Sequence, residues 1–121
     1  MLFRSAHVES CVLSPGVIIR PGAVVRESII LTDCVIESGA VIERAIIDRH
    51  ATIRQNARIG WGIADQNVQI AVVGKNSEVP AGYIVEPNGE VSTDVIESDY
   101  DGETVVHAGQ TITTRRKANE V

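Results

Sequence analysis

VESCVLSPGVIIRPGAV (Val8 to Val24), VRESIILTDCVIESGAV (Val25 to Val41) and IERAIIDRHATIRQNAR (Ile42 to Arg58) align without a gap. Large aliphatics recur at Val8, Leu13, Ile19, Val25, Ile30, Ile36, Ile42, Ile47, Ile53 and Ile59, so the intervals run five, six, six, three times over, and each set sums to seventeen. Neither a helical period of about 3.6 nor a simple alternation of about 2 produces that spacing. A coil of three short sides, each turning one large aliphatic inward, does.

The pattern predicts a parallel β-helix of the hexapeptide type. Two residues before these aliphatics stand smaller groups: Val17, Ala23, Cys34, Ala40, Ala51 and Ala57 on the long sides, and Cys11, Ser28 and Ala45 on the short one. One large and one small side chain per side fill a narrow triangular core. Residues seventeen apart then stack at roughly 4.8 Å, and their charges check the register. Glu9, Arg26 and Glu43 alternate in sign, as do Arg20, Glu37 and Arg54, while Glu27 sits under Arg44. Surface ladders are the ordinary meaning of such arginines.

Between each large and small inward position lies one outward residue. One side shows Val12, Ile29 and Ile46, the next Ile18, Val35 and Thr52, and the third Val24, Val41 and Arg58. β-branched residues suit strands in any case. A whole exposed aliphatic column exceeds what strand propensity asks and points to a partner surface. The interface candidates are Val12, Ile29 and Ile46 first, with Ile18 and Val35 beside them.

From Gly60 the spacing loosens, although Val73 and Val79 keep a hexad interval. The expected organisation is a lead-in over 1–7, coils over 8–59, an irregular coil or capping loop over 60–82, a small β cap over 83–114, and a tail over 115–121. Within the cap, Asn88-Gly89 between Tyr83 to Val85 and Glu90 to Ile96 reads as a hairpin turn. Two further strands are expected at Thr104 to His107 and Gln110 to Thr114, around Ala108-Gly109.

The net charge of −5 is uneven: Met1 to Ile59 holds seven Lys/Arg against six Asp/Glu, and Gly60 to Val121 holds four against ten. The acidic half and 3% aromatic content argue against nucleic acid as a partner. Arg115, Arg116 and Lys117 form the only basic run and read as a solvated tail. No apolar run reaches the ~20 residues of a membrane span, and the start MLFRSAHVES has no signal pattern, so no membrane partner and a cytoplasmic location are expected. Cys11 and Cys34 occupy different slots of different coils and read as reduced core thiols.

Catalytic motifs are sparse. GKNS at Gly74 to Ser77 would need a glycine where Gln69 stands to form a phosphate loop, and Asp65 breaks the dinucleotide pattern begun by Gly60 and Gly62. His7, His50 and His107 have no neighbour at metal-ligand spacing. Some hexapeptide-fold enzymes bind zinc between subunits with three histidines, for which His50 would be the candidate here, and acyltransferases of that fold use a histidine at a subunit cleft, often beside a long inserted loop. The three seventeen-residue coils contain no such insertion.

AIIDRHATIRQNARIG (Ala45 to Gly60), preceded by ESIILTDCVIESGAVIER (Glu27 to Arg44), resembles the carboxy-terminal left-handed β-helix of glucose-1-phosphate adenylyltransferase, also called ADP-glucose pyrophosphorylase. Ile46, Ile47, Asp48, Arg49 and Ile53 stand at the places of that family's I-I-D-basic-x-x-x-I run. Val68 to Ile70 and Gly102 to Ile112 echo its last strands more weakly. Related sugar nucleotidyltransferases share the coil.

The resemblance implies a left-handed coil acting as the regulatory and oligomerisation domain of an enzyme that makes ADP-glucose and pyrophosphate from ATP and glucose 1-phosphate in glycogen biosynthesis. The family's nucleotide loop, metal-binding aspartates and sugar-phosphate lysine have no match here. No cofactor is therefore expected in this chain; Mg²⁺ belongs with the missing catalytic half. The implied partners are a catalytic nucleotidyltransferase domain or subunit, further copies in a homo-oligomer, and a phosphorylated effector. Arg49, whose column holds Thr32 and Pro15 and so lacks a carboxylate, is the first candidate for effector phosphate; Arg58, under Val41, is the second. The family's activator-linked lysine has no counterpart, since His107 and Gln110 hold that neighbourhood. The alternative is a free-standing hexapeptide-repeat acyltransferase or scaffold protein.

Overall fold

The computed structural model describes residues 6–60 and 70–114. The chain winds as a three-sided parallel β-helix of about six turns. The first coil holds β1 (His7–Glu9), β2 (Val12–Leu13) and β3 (Ile18–Ile19). The second holds β4 (Val24–Arg26), β5 (Ile29–Ile30) and β6 (Val35–Ile36), and the third β7 (Val41–Glu43), β8 (Ala45–Ile47) and β9 (Thr52–Ile53). Then come β10 (Arg58–Ile59), β11 (Ala71–Val73) and β12 (Glu78–Val79), followed by β13 (Ile84–Val85) and β14 (Glu90–Val91), and finally β15 (Val105–Val106) and β16 (Thr111–Ile112).

Strands this short are held by their neighbours in the stack. Every strand pairing is parallel: β1-β4-β7-β10-β13-β15 form one six-stranded side, β2-β5-β8-β11-β14-β16 a second, and β3-β6-β9-β12 a four-stranded third. The register of the first three coils is the expected one, Val8 on Val25 on Ile42 and Leu13 on Ile30 on Ile47. Coil-to-coil hydrogen bonds such as Ile18 N–H to the Cys34 carbonyl at 3.0 Å and Val35 N–H to the Ala51 carbonyl at 3.1 Å continue the ladder.

The inward set forms the core. Ile30, Ile36, Ile42, Ile47, Ile53 and Ile59 have no exposed surface, nor do the small partners Ala23, Cys34, Ala40, Ala51 and Ala57. Each such isoleucine contributes about 1.5–3 kcal/mol of burial. Val8 and Leu13, in the first coil, are only partly buried against it. At the corners, Gly16, Asp33, His50, Asn76 and Asp94 take positive φ, His50 at 59°. That left-handed geometry admits Gly, Asn, Asp and His far better than β-branched residues.

The coil does not stop at Ile59. Ile47 pairs with Val73 and Ile53 with Val79, steps of 26 rather than 17, so nine residues are inserted between β10 and β11 (26 − 17 = 9). The absence of an insertion therefore holds only for the first three coils. Beyond it the hexad resumes, with Val73, Val79, Val85 and Val91 all buried and Ala71 and Ser77 in the small positions. The expected irregular coil or capping loop over 60–82 contains, in its described part, two regular strands.

The hairpins of the expected β cap are also corrected. Ile84–Val85 pairs in parallel with β10 and β15, and Glu90–Val91 with β11 and β16. The Pro87-Asn88 turn, closed by Gly89 N–H to the Glu86 carbonyl at 2.8 Å, rounds a corner of the prism without reversing the chain. Asn-Gly fits either use, because both need a left-handed residue; Asn88 has φ 70°. The turn at Ala108-Gly109 rounds the next coil's corner likewise.

In the fifth coil a 3-10 turn, Glu97–Tyr100, replaces the third-side strand. Tyr100 is buried there, its hydroxyl donating to the Glu78 carbonyl at 2.7 Å and its ring meeting Tyr83 edge-on at 5.2 Å. Asp99 accepts the Ile96 N–H at 2.9 Å. Among the described residues no helix is long and apolar enough to cross a membrane. The lead-in before Ala6, Trp61, Asp65, Gln69, most of Val68 to Ile70, and the tail with Arg115, Arg116 and Lys117 lie outside the described residues.

Candidate assembly surface

The second side carries the longest solvent-facing aliphatic column. Register places Val12 on Ile29, Ile29 on Ile46 and Ile46 on Val72, after which Glu90 and Thr111 end it. Val12 is 62% exposed and Ile29 40%. Ile70, 45% exposed, was not singled out in the sequence; with Ile29, Ala45 and Ile46 it lines a recess of about 240 Å³ whose rim is Glu27 and Arg44. Val72 and Ile70 become legible once Val73 and Val79 are phased with Val85 and Val91.

The other candidate interface residues lie elsewhere. Ile18 and Val35 are half-buried on the third side, in a column that turns polar at Thr52 and Glu78. The first side's column runs Val24, Val41, Arg58, Ile84, and Arg58 breaks it. The five residues thus occupy two sides of the prism, and only Val12, Ile29 and Ile46 belong to one aliphatic stripe.

The two candidate effector arginines are not brought together. Arg58 projects from the first side, whereas Arg49 lies at the corner between the second and third. Arg49 is also not unpaired: its Nε lies 3.8 Å from Asp48 Oδ1, the carboxylate next to it in sequence rather than one in its column. With His50, Lys75 and Asn76 it lines an open recess of about 370 Å³. Lys75 joins Arg49 there because the 26-residue step, which the seventeen-residue count does not reach, stacks the Lys75-Asn76 turn on the Arg49-His50 turn. His50 Nδ1 lies 4.0 Å from Asp33, and the Asn76 side-chain amide donates to Asp94 at 3.0 Å.

The expected charge ladders form in part: no ion pair joins Arg20 to Glu37, and Arg54 gains a partner, Glu78, from the coil beyond the insertion. Arg26 reaches Glu9 at 3.8 Å and Glu43 at 3.2 Å, Arg44 reaches Glu27 at 3.8 Å, and Arg54 bridges Glu37 at 3.0 Å and Glu78. Hydrogen bonding to Glu78, reinforced by Glu37, raises the Arg54 guanidinium pKa. His7, bonded to Glu9 at 2.9 Å, lowers that carboxyl. Burial raises the Cys34 thiol, which donates to the Asp48 carbonyl at 2.8 Å, and both cysteines are free.

His7 and His107 lie on the first side and the corner after it, His50 at another corner. Among the described residues no three His, Cys, Asp or Glu side chains are grouped to hold a metal ion. His107 Nδ1 meets Glu86 at 3.4 Å, on the same corner column as Gly60, where the insertion leaves the coil. Gly74 of the GKNS stretch has a packing reason: a Cβ there would meet the Ser92 backbone at 2.6 Å.

Comparison with solved structures finds the acetyltransferase domain of PglB from Neisseria gonorrhoeae FA1090, with 13% sequence identity and a TM-score of 0.49 over 94% of this chain. This chain spans 54% of that one, about half its length. No curated protein matches the sequence. The family model for the GlmU-like, C-terminal hexapeptide matches residues 1–72, more than half of the 121. The chain therefore belongs to the GlmU-like C-terminal hexapeptide family, a family of left-handed β-helices found among sugar nucleotidyltransferases.

Proposed function

We propose that this chain is the regulatory and oligomerisation domain of a glucose-1-phosphate adenylyltransferase, working with a catalytic half that carries the nucleotide loop and the Mg²⁺ site. The observation that supports the assembly role is the stripe Val12, Ile29, Ile46 and Val72 with its recess at Ile70, a contiguous apolar surface of the kind that partners cover. Family membership and the Glu27 to Gly60 resemblance support the choice of enzyme. The cytoplasm, where ADP-glucose would be made, is the corresponding location.

Within that role Arg49 is the better effector candidate, because Lys75 and His50 share its recess. Arg58 lies on the first side, outside that recess. The Asp48 contact is an exposed pair of the weak class, so a phosphate can displace it. Effector titration of the full-length enzyme should shift by about tenfold on Arg49→Ala, the size of one lost charge-assisted hydrogen bond. An unchanged titration removes Arg49 from the role.

Adding the purified chain to a catalytic half lacking its own β-helix tests the proposal as a whole: ADP-glucose synthesis should rise with the wild-type chain and not with Ile29→Glu. The second reading, a hexapeptide acyltransferase or scaffold, is favoured by one observation, the nine-residue insertion at the corner column that Glu86 and His107 share. Acetyl-CoA binding to the purified chain, lost on His107→Ala, would select that reading.

A further inference from the structure

The corner column Thr32, Arg49, Lys75, Thr93 departs from the alternation of sign that the paired columns keep. Glu9, Arg26 and Glu43 alternate, and Glu27 stands one coil from Arg44, with ion pairs between them. Here a guanidinium and an ammonium follow one another. The Asn76 N–H donates to the Arg49 carbonyl and the Asp94 N–H to the Lys75 carbonyl, each at 2.9 Å, which fixes the stack. Like charges one coil apart, at a spacing of roughly 4.8 Å, repel. Arg49 is eased by Asp48, its neighbour in sequence, at 3.8 Å, whereas Lys75 has no ion pair among the described residues. An anion in the open recess of about 370 Å³ that both side chains line meets both charges at once and relieves their repulsion.

His50 lines the same recess and decides its charge. Its imidazole has Asp33 at 4.0 Å from the coil before, Asn76 from the coil after, and Arg49 and Lys75 beside it in the recess. Two more carboxylates stand nearby: Asp48 on Arg49, and Asp94, which accepts from the Asn76 side-chain amide at 3.0 Å. None of the three carboxylates lines the recess. With a neutral imidazole, two cations stand against these three carboxylates. With an imidazolium the count is three against three, and the added charge lies on the recess wall. Histidine is the side chain that makes this change between about pH 5 and 8. The corner holds the residue in place in either state, through its left-handed φ of 59° and its N–H bond to the Thr32 carbonyl at 3.0 Å.

We infer that the Arg49, His50, Lys75 recess binds a phosphate-class dianion in proton-linked fashion, more tightly with His50 protonated than with it neutral. The inference rests on the proposed effector role of this recess and adds its regulation. An effector held there acts more strongly as the pH falls below neutral, and by linkage its binding draws a proton onto His50.

Sulfate is the probe, because its own charge does not change over this pH range and any pH dependence then belongs to the protein. It is titrated into the full chain at constant ionic strength, and binding is followed by the backbone amide signals of Arg49 and Lys75. The wild type should bind about fivefold more tightly at about pH 5.5 than at about pH 8, the worth of one unit charge about 4 Å away in water. His50→Asn, which the left-handed corner accepts, should show the weaker affinity at both pH values. Lys75→Gln should weaken binding at both and keep the ratio between them. An equal ratio in the wild type and His50→Asn would overturn the inference, as would the absence of saturable binding at either pH. Saturable binding that is independent of pH but lost in Arg49→Ala would refute the proton linkage and leave the effector site standing. Proton-linked sulfate binding, with an effector titration of the full-length enzyme that Arg49→Ala leaves unchanged, would uphold this inference and remove the effector role.

Discussion

Ile47 stands in the middle of the stack, wholly buried, between Ile30 below and Val73 above. Ile47→Ala should cost about 2–5 kcal/mol in chemical denaturation, because neighbours fixed by two ladders cannot collapse into the void. Gly74→Ala should cost about 1–3 kcal/mol, since the added methyl meets backbone at Ser92 rather than a side chain that can turn away. Tyr100 gives a pH signature. Burial raises its pKa well above the ordinary 10, so the fold favours the protonated phenol. The resulting stability is complete below the unfolded value of about 10 and is lost as pH rises toward the folded one. The midpoint of thermal unfolding should fall above pH 10 in the wild type and less so in Tyr100→Phe; equal falls would remove Tyr100 as the cause. The inward isoleucines and their small partners were legible in the sequence because each repeats in register. Tyr100 was not, since it replaces a strand instead of continuing one. The Arg49 contact is not legible from a column count, because Asp48 is its neighbour in sequence rather than in the stack.

At the scale of the strand and its corner, the first three coils read directly from the sequence because each side repeats at a fixed interval. The next coils were obscured by the net nine-residue insertion between Ile59 and Ala71, which lengthens the step from 17 to 26. Val73, Val79, Val85 and Val91 keep a six-residue spacing beyond the insertion, and that run is the available signal. The misread hairpins have a different cause. Asn88-Gly89 reports a left-handed turn residue, but nothing local distinguishes a chain reversal from the corner of a prism; only the partners of the flanking strands do. His50 illustrates the corner requirement: at φ 59°, His50→Asn should be nearly neutral and His50→Val destabilising. Equal stability of the two variants in urea would show that the corner tolerates a β-branched residue, against the geometry described. The ion-pair ladders add little to either strand or corner. Each pair is exposed and worth about 0–1 kcal/mol, so Arg54→Ala, which loses two pairs, should lower stability by no more than about 2 kcal/mol, and less in high salt.

Over the whole molecule, the β-helix supplies a rigid frame on which one side is aliphatic, one is interrupted by Arg58, and one turns polar at Thr52 and Glu78. The candidate site was therefore partly legible: Val12, Ile29 and Ile46 came from the sequence, whereas Ile70 and Val72 needed the phase restored beyond the insertion. The effector arginines could not be placed together or apart from sequence, because that depends on which side of the prism each coil presents. What the account requires is that the aliphatic side bring chains together. Sedimentation equilibrium of the full chain and of Ile29→Glu tests this most directly. The account predicts a mass that rises with concentration above the 13.0 kDa of one chain and returns to it in the variant. A mass identical for the two proteins at every concentration would contradict it.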